Sequence, residues 1–144
     1  MASVILDSSV TIAWLLPDEP WHQEAVALHR DVVAGEIDPV VAAHHGFEVR
    51  HALVRAVHRA RCAWPAIPGY LAAIHRMQFE VNPVEEADAT ALGLCQDLRL
   101  TWGDSLWVAL AVRLALPLVT ADMRLVRSVP PGVAWIVPLS DHPI

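Results

Sequence analysis

From Leu106 to Val112 the chain reads LWVALAV, without a single charge, inside a segment of helix formers running from Asp104 to Leu116. A helix that is apolar around its whole circumference offers no face to water and is enclosed in the middle of a domain. Asp104, at its N-terminal end, is thereby drawn toward the core.

The segments on either side alternate between short strands and helices. Ser3–Leu6 is a β-branched and apolar run that ends at Asp7, and Ser8 and Ser9 offer capping hydroxyls to a helix through Val10–Leu16. Pro17 and Pro20 break the chain before an amphipathic helix over Trp21–Ala34, which Gly35 ends. Pro39–Ala43 reads as a strand, Phe47–Arg61 and Pro65–Met77 as helices, and Phe79–Pro83 as a third strand. Glu85–Leu98 carries acids in its first turn, as a helix dipole favours. Leu118–Thr120 is a fourth strand and Met123–Val129 a short helix; a Pro130-Pro131-Gly132 turn and a last strand over Ala134–Val137 precede a polar tail. No repeat, low-complexity tract or linker interrupts this order. Alternation of this kind implies right-handed βαβ crossovers and a three-layer α/β/α fold around a mostly parallel sheet of four to five strands.

At 144 residues the chain is expected to form one domain, residues 1–144; a globule of that size buries roughly 68–70% of its unfolded surface. The 55% apolar share fits a sheet buried on both faces. No uncharged run approaches the ~18 residues of a membrane span, and no basic stretch precedes an apolar signal segment at the N-terminus, so no membrane association and a cytoplasmic location are expected. Cys62 and Cys95 share no metal-ligand spacing and are read as idle thiols. The net charge of −6 disfavours a sequence-independent nucleic-acid binder that relies on a basic field over its surface. All ten basic residues are arginine, which removes lysine as Schiff-base nucleophile or general base.

Four acids stand where strand or helix ends would aim them at one rim: Asp7 after Val4-Ile5-Leu6, Glu48 early in a helix, Asp104 opening the uncharged helix, and Asp122 after Leu118-Val119-Thr120-Ala121. The carboxyl edge is where open α/β sheets place their chemistry. Taken singly, each acid has a structural reading as an N-cap, a turn former or a solvated helix residue. Jointly they form a site. Carboxylates a few ångström apart repel and then take up protons or bind a cation. Mg²⁺ or Mn²⁺ suits oxygen donors of this kind, held by one or two direct carboxylates with the others acting through water. Hydrolysis of a nucleic-acid backbone is the natural reaction class.

The segments DSSVTIAWLLPDE, FEVRHAL and WGDSLWVALAVRLALPLVTADMRL resemble the three signature blocks of PIN domains, in particular the VapC-type toxins of bacterial toxin–antitoxin pairs, and the match spans nearly the whole chain. The resemblance implies a Rossmann-like sheet and a Mg²⁺- or Mn²⁺-dependent endoribonuclease. Asp7, Glu48, Asp104 and Asp122 would be its acidic quartet, with Ser8 and Thr120 as supporting hydroxyls. It further implies an RNA substrate, a homodimer, and a cognate antitoxin whose C-terminal segment enters the acidic groove. One departure is visible: where many relatives carry Asn one helical turn after the glutamate, this chain has His51. Structural support is the favoured role for that imidazole.

His51, Arg55, His58 and Arg59 recur at helical spacing, with Arg50 and Arg61 nearby, so the helix bearing Glu48 presents a basic stripe beside the acids. Contact with RNA phosphates, contact with an antitoxin or second copy, and a solvated face all remain open for it. Glu48-x-x-His51 and Glu19-x-x-His22 share the spacing of di-iron bundles, but Pro20 and the strand signals contradict that fold. His44-His45 lack a third ligand at zinc spacing. Trp14 and Trp107 are assigned to the core, and Trp21, Trp64 and Trp102 to more exposed positions. Two rival functions keep parts of this reading. A haloacid-dehalogenase-like phosphatase would use Asp7 as nucleophile, but Ser9 stands where its second aspartate belongs and no lysine is present. A PIN-like module that binds RNA or a partner without cutting would be marked by loss of an acid, and none is lost.

Overall fold

The computed structural model describes residues 2–143, and its central feature is a sheet of five parallel strands. These are β1 (Ala2–Leu6), β2 (Ile37–Ala42), β3 (Glu80–Asn82), β4 (Leu118–Thr120) and β5 (Ile136–Pro138), in the spatial order β3-β2-β1-β4-β5. The chain winds outward from β1 through β2 to β3, then returns across the sheet to add β4 and β5 on the other side of β1. β1 and β4 are therefore the adjacent strands at which the winding direction reverses. In a sheet of this topology a crevice opens at that point, beyond the carboxyl ends. The register there pairs Ile5 with Leu118 and Leu6 with Val119, and one further ladder bond runs from the Asp7 amide to the Val119 carbonyl at 3.0 Å. Asp7 and Thr120 thus emerge side by side.

Among the described residues seven helices flank the sheet: α1 (Ser8–Leu15), α2 (His22–Val33), α3 (His45–His58), α4 (Ile67–Met77), α5 (Asp88–Leu98), α6 (Trp102–Leu114) and α7 (Met123–Ser128). The expected α/β alternation is present throughout, and the sheet is wholly parallel with five strands. α6 is the enclosed helix, buried without a break from Ser105 to Ala111. Its burial stops one residue short of the uncharged run, with Val112 43% exposed. The Thr101 hydroxyl accepts from the Asp104 amide at 3.2 Å, so Thr101 is the N-cap and Asp104 lies inside the first turn. Ala115, left-handed at φ 53°, ends α6 by bonding back to the Ala111 carbonyl.

The main core joins Ile5, Leu6, Val41 and Leu118 from the strands to Trp107 and Leu110 of α6. A second cluster, built on Leu16, Val49 and Leu53 with Ile74, seats α3 and α4 against the end of α1. Truncating Leu53, fully buried there, to alanine is expected to cost about 2–5 kcal/mol. That packing fixes where α3 presents Glu48.

Several boundaries differ from the sequence expectation. α1 begins at Ser8 rather than Val10, because the two serine hydroxyls turn away from the helix end toward carboxylates and leave it without a side-chain cap. α3 begins at His45, two residues before its first exposed apolar residue, Phe47. It ends at His58, and Ala60 at φ 57° turns the chain so that Arg61 lies beyond the helix. Short 3₁₀ turns precede α4 and α5, at Trp64–Ala66 and Glu85–Ala87. The tail is not wholly polar: Leu139 is fully buried in the main core, and His142 Nε2 lies 2.8 Å from Asp31 Oδ2 on α2. Both cysteines are free thiols. Among the described residues no helix is long and apolar enough to cross a membrane.

Candidate active site

Asp7 caps no helix amide; its carboxylate is held by hydroxyls. Thr120 Oγ1 donates to Oδ2 at 2.7 Å and Ser9 Oγ to the same oxygen at 2.8 Å, while Ser8 Oγ stands 3.4 Å from Oδ1. Ser9 and Thr120 also serve the neighbouring backbone, accepting from the amides of Ala121 and Asp122 at 3.0 Å each. Two adjacent strand ends are thereby tied together through one carboxylate. The residue is 5% exposed, and its pKa is pushed up to about 6. Burial is the main cause; the Thr120 and Ser9 hydrogen bonds oppose it, and the charges of Glu48 and Asp104 add to it.

Glu48 lies in the first turn of α3 and reaches across to α6. Oε1 accepts from Trp107 Nε1 at 2.7 Å and from Ser8 Oγ at 3.0 Å, and His44 Nε2 stands 3.4 Å away. Oε2 comes so close to Gly103 that a β-carbon there would sit 3.0 Å from it. A side chain at 103 would press on that oxygen and require it to give by a few tenths of an ångström. The His44 ring points its Nε2 at the Gly103 carbonyl, 3.1 Å distant, a contact that needs the proton on that nitrogen.

Asp104 faces the same cleft from α6, with its pKa raised. Burial leads, followed by the charge of Asp122; the Thr101 hydroxyl draws it back, Glu48 raises it further, and Arg124 lowers it. Asp122 is held differently. Its Oδ1 accepts from the amides of Arg124 at 3.0 Å and Leu125 at 3.4 Å, making it the N-cap of α7. Arg124 Nη2 lies 3.7 Å from Oδ2.

Asp7, Ser8, Glu48, His51, Asp104 and Asp122 all line one cleft of about 400 Å³, together with Arg55 of the basic stripe. The structure thus brings the four acids of the sequence reading to one place. Thr120 stands behind Asp7, fully buried. His51 makes no hydrogen bond to Glu48 among the described residues and instead stacks on Phe47, with ring centroids 6.0 Å apart. Arg59 lines an adjoining cleft, and His58 leans edge-on against Trp64. Arg50 lies elsewhere, in a cleft shared with Val41 and His75, where its Nη1 donates to the Gly46 carbonyl at 3.0 Å.

Three contributors escape a reading of the sequence. Trp107 is fully buried, as its apolar surroundings require, yet its indole N–H is the shortest hydrogen bond to Glu48. Ser9 reads as a helix cap and is a partner of Asp7. His44, weighed only as a zinc ligand, borders the glutamate. The i, i+4 spacing of His44 and Glu48 carries a faint signal for that contact. Nothing in the linear sequence signals the Trp107 bond, which joins residues 59 apart.

Among the described residues no three His, Cys, Asp or Glu side chains draw together as a ready-made metal cage. What the cleft offers is carboxylate and hydroxyl oxygen, without sulfur, and two carboxylates, Asp7 and Asp104, raised partly by the charge of neighbouring acids. That donor set fits a hard divalent ion, which keeps several waters and takes one or two carboxylates directly.

The fold recurs in solved structures. PAE2754 from Pyrobaculum aerophilum superposes with a TM-score of 0.73 at 18% identity, over 96% of this chain and 92% of that one. A toxin–antitoxin complex from Klebsiella pneumoniae gives 0.63 at 16% identity, over 94% and 97% of the two chains. VapBC2 from Rickettsia felis, bound to a DNA fragment from its promoter, gives 0.65 at 10% identity, over 94% and 98%. No curated protein matches the chain in sequence. Residues 4–128 match the family model of the PIN domain, a family whose members are in general nucleases. With that match spanning most of its length, and its acids gathered at the switch point of a five-stranded parallel sheet, the chain belongs to the PIN domain family.

Proposed function

We propose that this chain, working as one PIN-like domain, is a Mg²⁺- or Mn²⁺-dependent endoribonuclease, and that it is the cytoplasmic toxin of a toxin–antitoxin pair. The observation that carries the nuclease reading is the convergence of Asp7, Glu48, Asp104 and Asp122 on one cleft, with Asp7 and Asp104 raised partly by their neighbours' charge. The toxin reading is supported by PIN membership and by the likeness to the Klebsiella and Rickettsia toxin–antitoxin complexes. Exposed Phe47 and Val54 on α3 support an apolar contact with a second copy.

A divalent ion held by these carboxylates would neutralise charge on the phosphodiester and lower the pKa of an attacking water. The chain's own residues supply the positioning. Asp7 Oδ2 is taken by Thr120 and Ser9, while Oδ1 has only the longer 3.4 Å contact with Ser8 Oγ. Glu48 Oε1 is taken by Trp107 and Ser8, which leaves Oε2. Asp104, raised and not locked by a buried hydroxyl, is the carboxylate suited to accept a proton from the attacking water. A phosphatase with Asp7 as nucleophile is disfavoured, since Ser9 stands where its second aspartate belongs and the chain has no lysine.

The test is cleavage of structured RNA by the purified protein. Cutting that needs Mg²⁺ or Mn²⁺, stops in EDTA and disappears in Asp104→Asn is the expected result. Cutting retained in Asp104→Asn overturns the assignment of the site. Tight Mg²⁺ binding without cleavage of any RNA pool would make the chain a non-cleaving module.

A further inference from the structure

A second cleft, of about 280 Å³, adjoins the acidic one and shares Ser9, Ile12, Ala52, Arg55 and Asp122 with it. Its lining adds Arg59 and Arg61, and these arginines are not equivalent. Arg61 is occupied: it donates to both oxygens of Asp18, at 2.8 and 3.0 Å, and to Glu19 Oε1 at 2.8 Å. Arg55 on the exposed face of α3 and Arg59, one turn on at the residue that caps it, make no ion pair or side-chain hydrogen bond among the described residues. Like charges at i, i+4 repel. An anion between them removes that repulsion. The two acids lining this cleft do not fill the need, because Glu19 is paired with Arg61 and Asp122 caps α7.

Resting on the nuclease reading above, we propose that Arg55 and Arg59 clamp the backbone phosphate of a nucleotide flanking the scissile one, so that the RNA runs from the acids along α3. A phosphodiester seated at the acids necessarily brings neighbouring phosphates with it, and the adjoining cleft is where they meet positive charge. Guanidinium groups suit phosphate through paired N–H donors. Such contacts fix the register of the strand without reading its bases. In a chain of net charge −6 this local pair is what makes a polyanion welcome on that side.

The experiment uses Asp104→Asn protein with Mg²⁺ and a fluorescent single-stranded RNA of roughly 12 nucleotides. Arg55→Gln and Arg59→Gln are each expected to weaken binding about tenfold at low salt and to flatten the slope of log affinity against log salt by about 0.7. Lysine at either position, retaining the charge, recovers the slope. Arg50→Gln removes the same charge from the same helix outside the cleft and leaves affinity unchanged. In the protein with its acids intact, the double variant raises KM for long RNA. An unchanged slope in the double variant overturns the clamp, as does an equal loss in Arg50→Gln. Loss of binding to an acidic peptide with RNA affinity retained also overturns it, and reassigns the pair to a protein partner. Absence of cleavage by the unmodified protein, with arginine-dependent RNA binding intact, would instead sink the nuclease reading and leave the clamp standing.

Discussion

Asp7 follows β1 and Asp122 follows β4, two neighbouring parallel strands, and both carboxylates face the same cleft. Asp7 is buried, gripped by hydroxyls and raised to about 6. Asp122 is 29% exposed at its side chain and uses one oxygen to cap α7. Topology delivers a carboxylate to the rim in each case. What differs is the compensation: Asp122 receives backbone amides at a helix start, whereas Asp7 receives neutral hydroxyls in a place where burial disfavours its charge. One acid earns its place in the folded chain as a cap; the other is kept under tension that only a proton or a cation relieves.

The sharpest way to break that contrast is Asp7→Asn, which keeps the shape and removes the charge. Cleavage is expected to fall by about 10³-fold, the scale of losing a preorganised electrostatic group at a reacting centre. A variant that retains cleavage within tenfold of the parent would place the chemistry elsewhere in the cleft.

The same substitution is expected to stabilise the metal-free protein. Asp7 has a folded pKa of about 6 against an ordinary 3.8, so the native state binds the extra proton between those values. Its ionisation therefore opposes folding: the penalty is complete above about pH 6, shrinks as pH falls, and is gone below 3.8. A shift of this size corresponds to about 3 kcal/mol. His45 works in the opposite sense, since burial holds its pKa down to about 4 and folding loses stability as pH falls from 6.5 toward that value. Comparing parent and Asp7→Asn cancels the histidine. In EDTA the variant should be the more stable by up to about 3 kcal/mol at pH 7.5, with no difference at pH 3.5. Adding Mg²⁺ should close the gap by stabilising the parent alone. Equal denaturation midpoints at pH 7.5 in EDTA would show that Asp7 carries no such penalty.

How far all this is legible in the sequence follows from the kind of interaction involved. The strand ends, the acids behind them and the enclosure of α6 are written in short runs of apolar residues, so a linear reading finds them. Boundaries slip where a side chain has a distant partner. Ser8 and Ser9 satisfy every local rule for an N-cap, yet their hydroxyls donate to carboxylates instead of accepting from the amides of the helix they open. Trp107 has the surroundings of a core residue, and is one, and also positions Glu48 from 59 residues away. The stripe on α3 divides for the same reason: Arg61 meets Asp18 and Glu19 of the α1–α2 connection, and Arg50 turns to Gly46. No periodicity foretells that, among the described residues, Arg55 and Arg59 are the arginines of the stripe left without a partner.

Glu48 stands between the two aspartates in character, partly exposed but held by an indole and a hydroxyl. Trp107→Phe retains most of the buried ring and deletes the N–H. Losing one hydrogen bond to a charged group costs about 1.5–3 kcal/mol when fully desolvated. At this half-exposed carboxylate a drop of about tenfold in cleavage, accompanied by a higher Mg²⁺ requirement, is expected. Should the Trp107→Phe variant need no more Mg²⁺ than the parent, Glu48 does not depend on Trp107 for its orientation.

The smallest effect tests the other half of the comparison. If Asp122 is stabilising because it caps α7, then Asp122→Ala should destabilise the fold by about 1 kcal/mol, the usual cost of losing an N-cap. Asparagine caps nearly as well as aspartate, so Asp122→Asn should stay within about 0.5 kcal/mol of the parent in stability. Chemical denaturation of the three proteins, in EDTA and at one pH, separates the two contributions. The cap needs only an acceptor oxygen at the helix start, while the charge matters to the cleft. Asp7 predicts the reverse order, with Asn stabilising rather than neutral, because there no backbone amide rewards the anion. A stabilising Asp122→Asn would erase the distinction and make both strand ends equally strained.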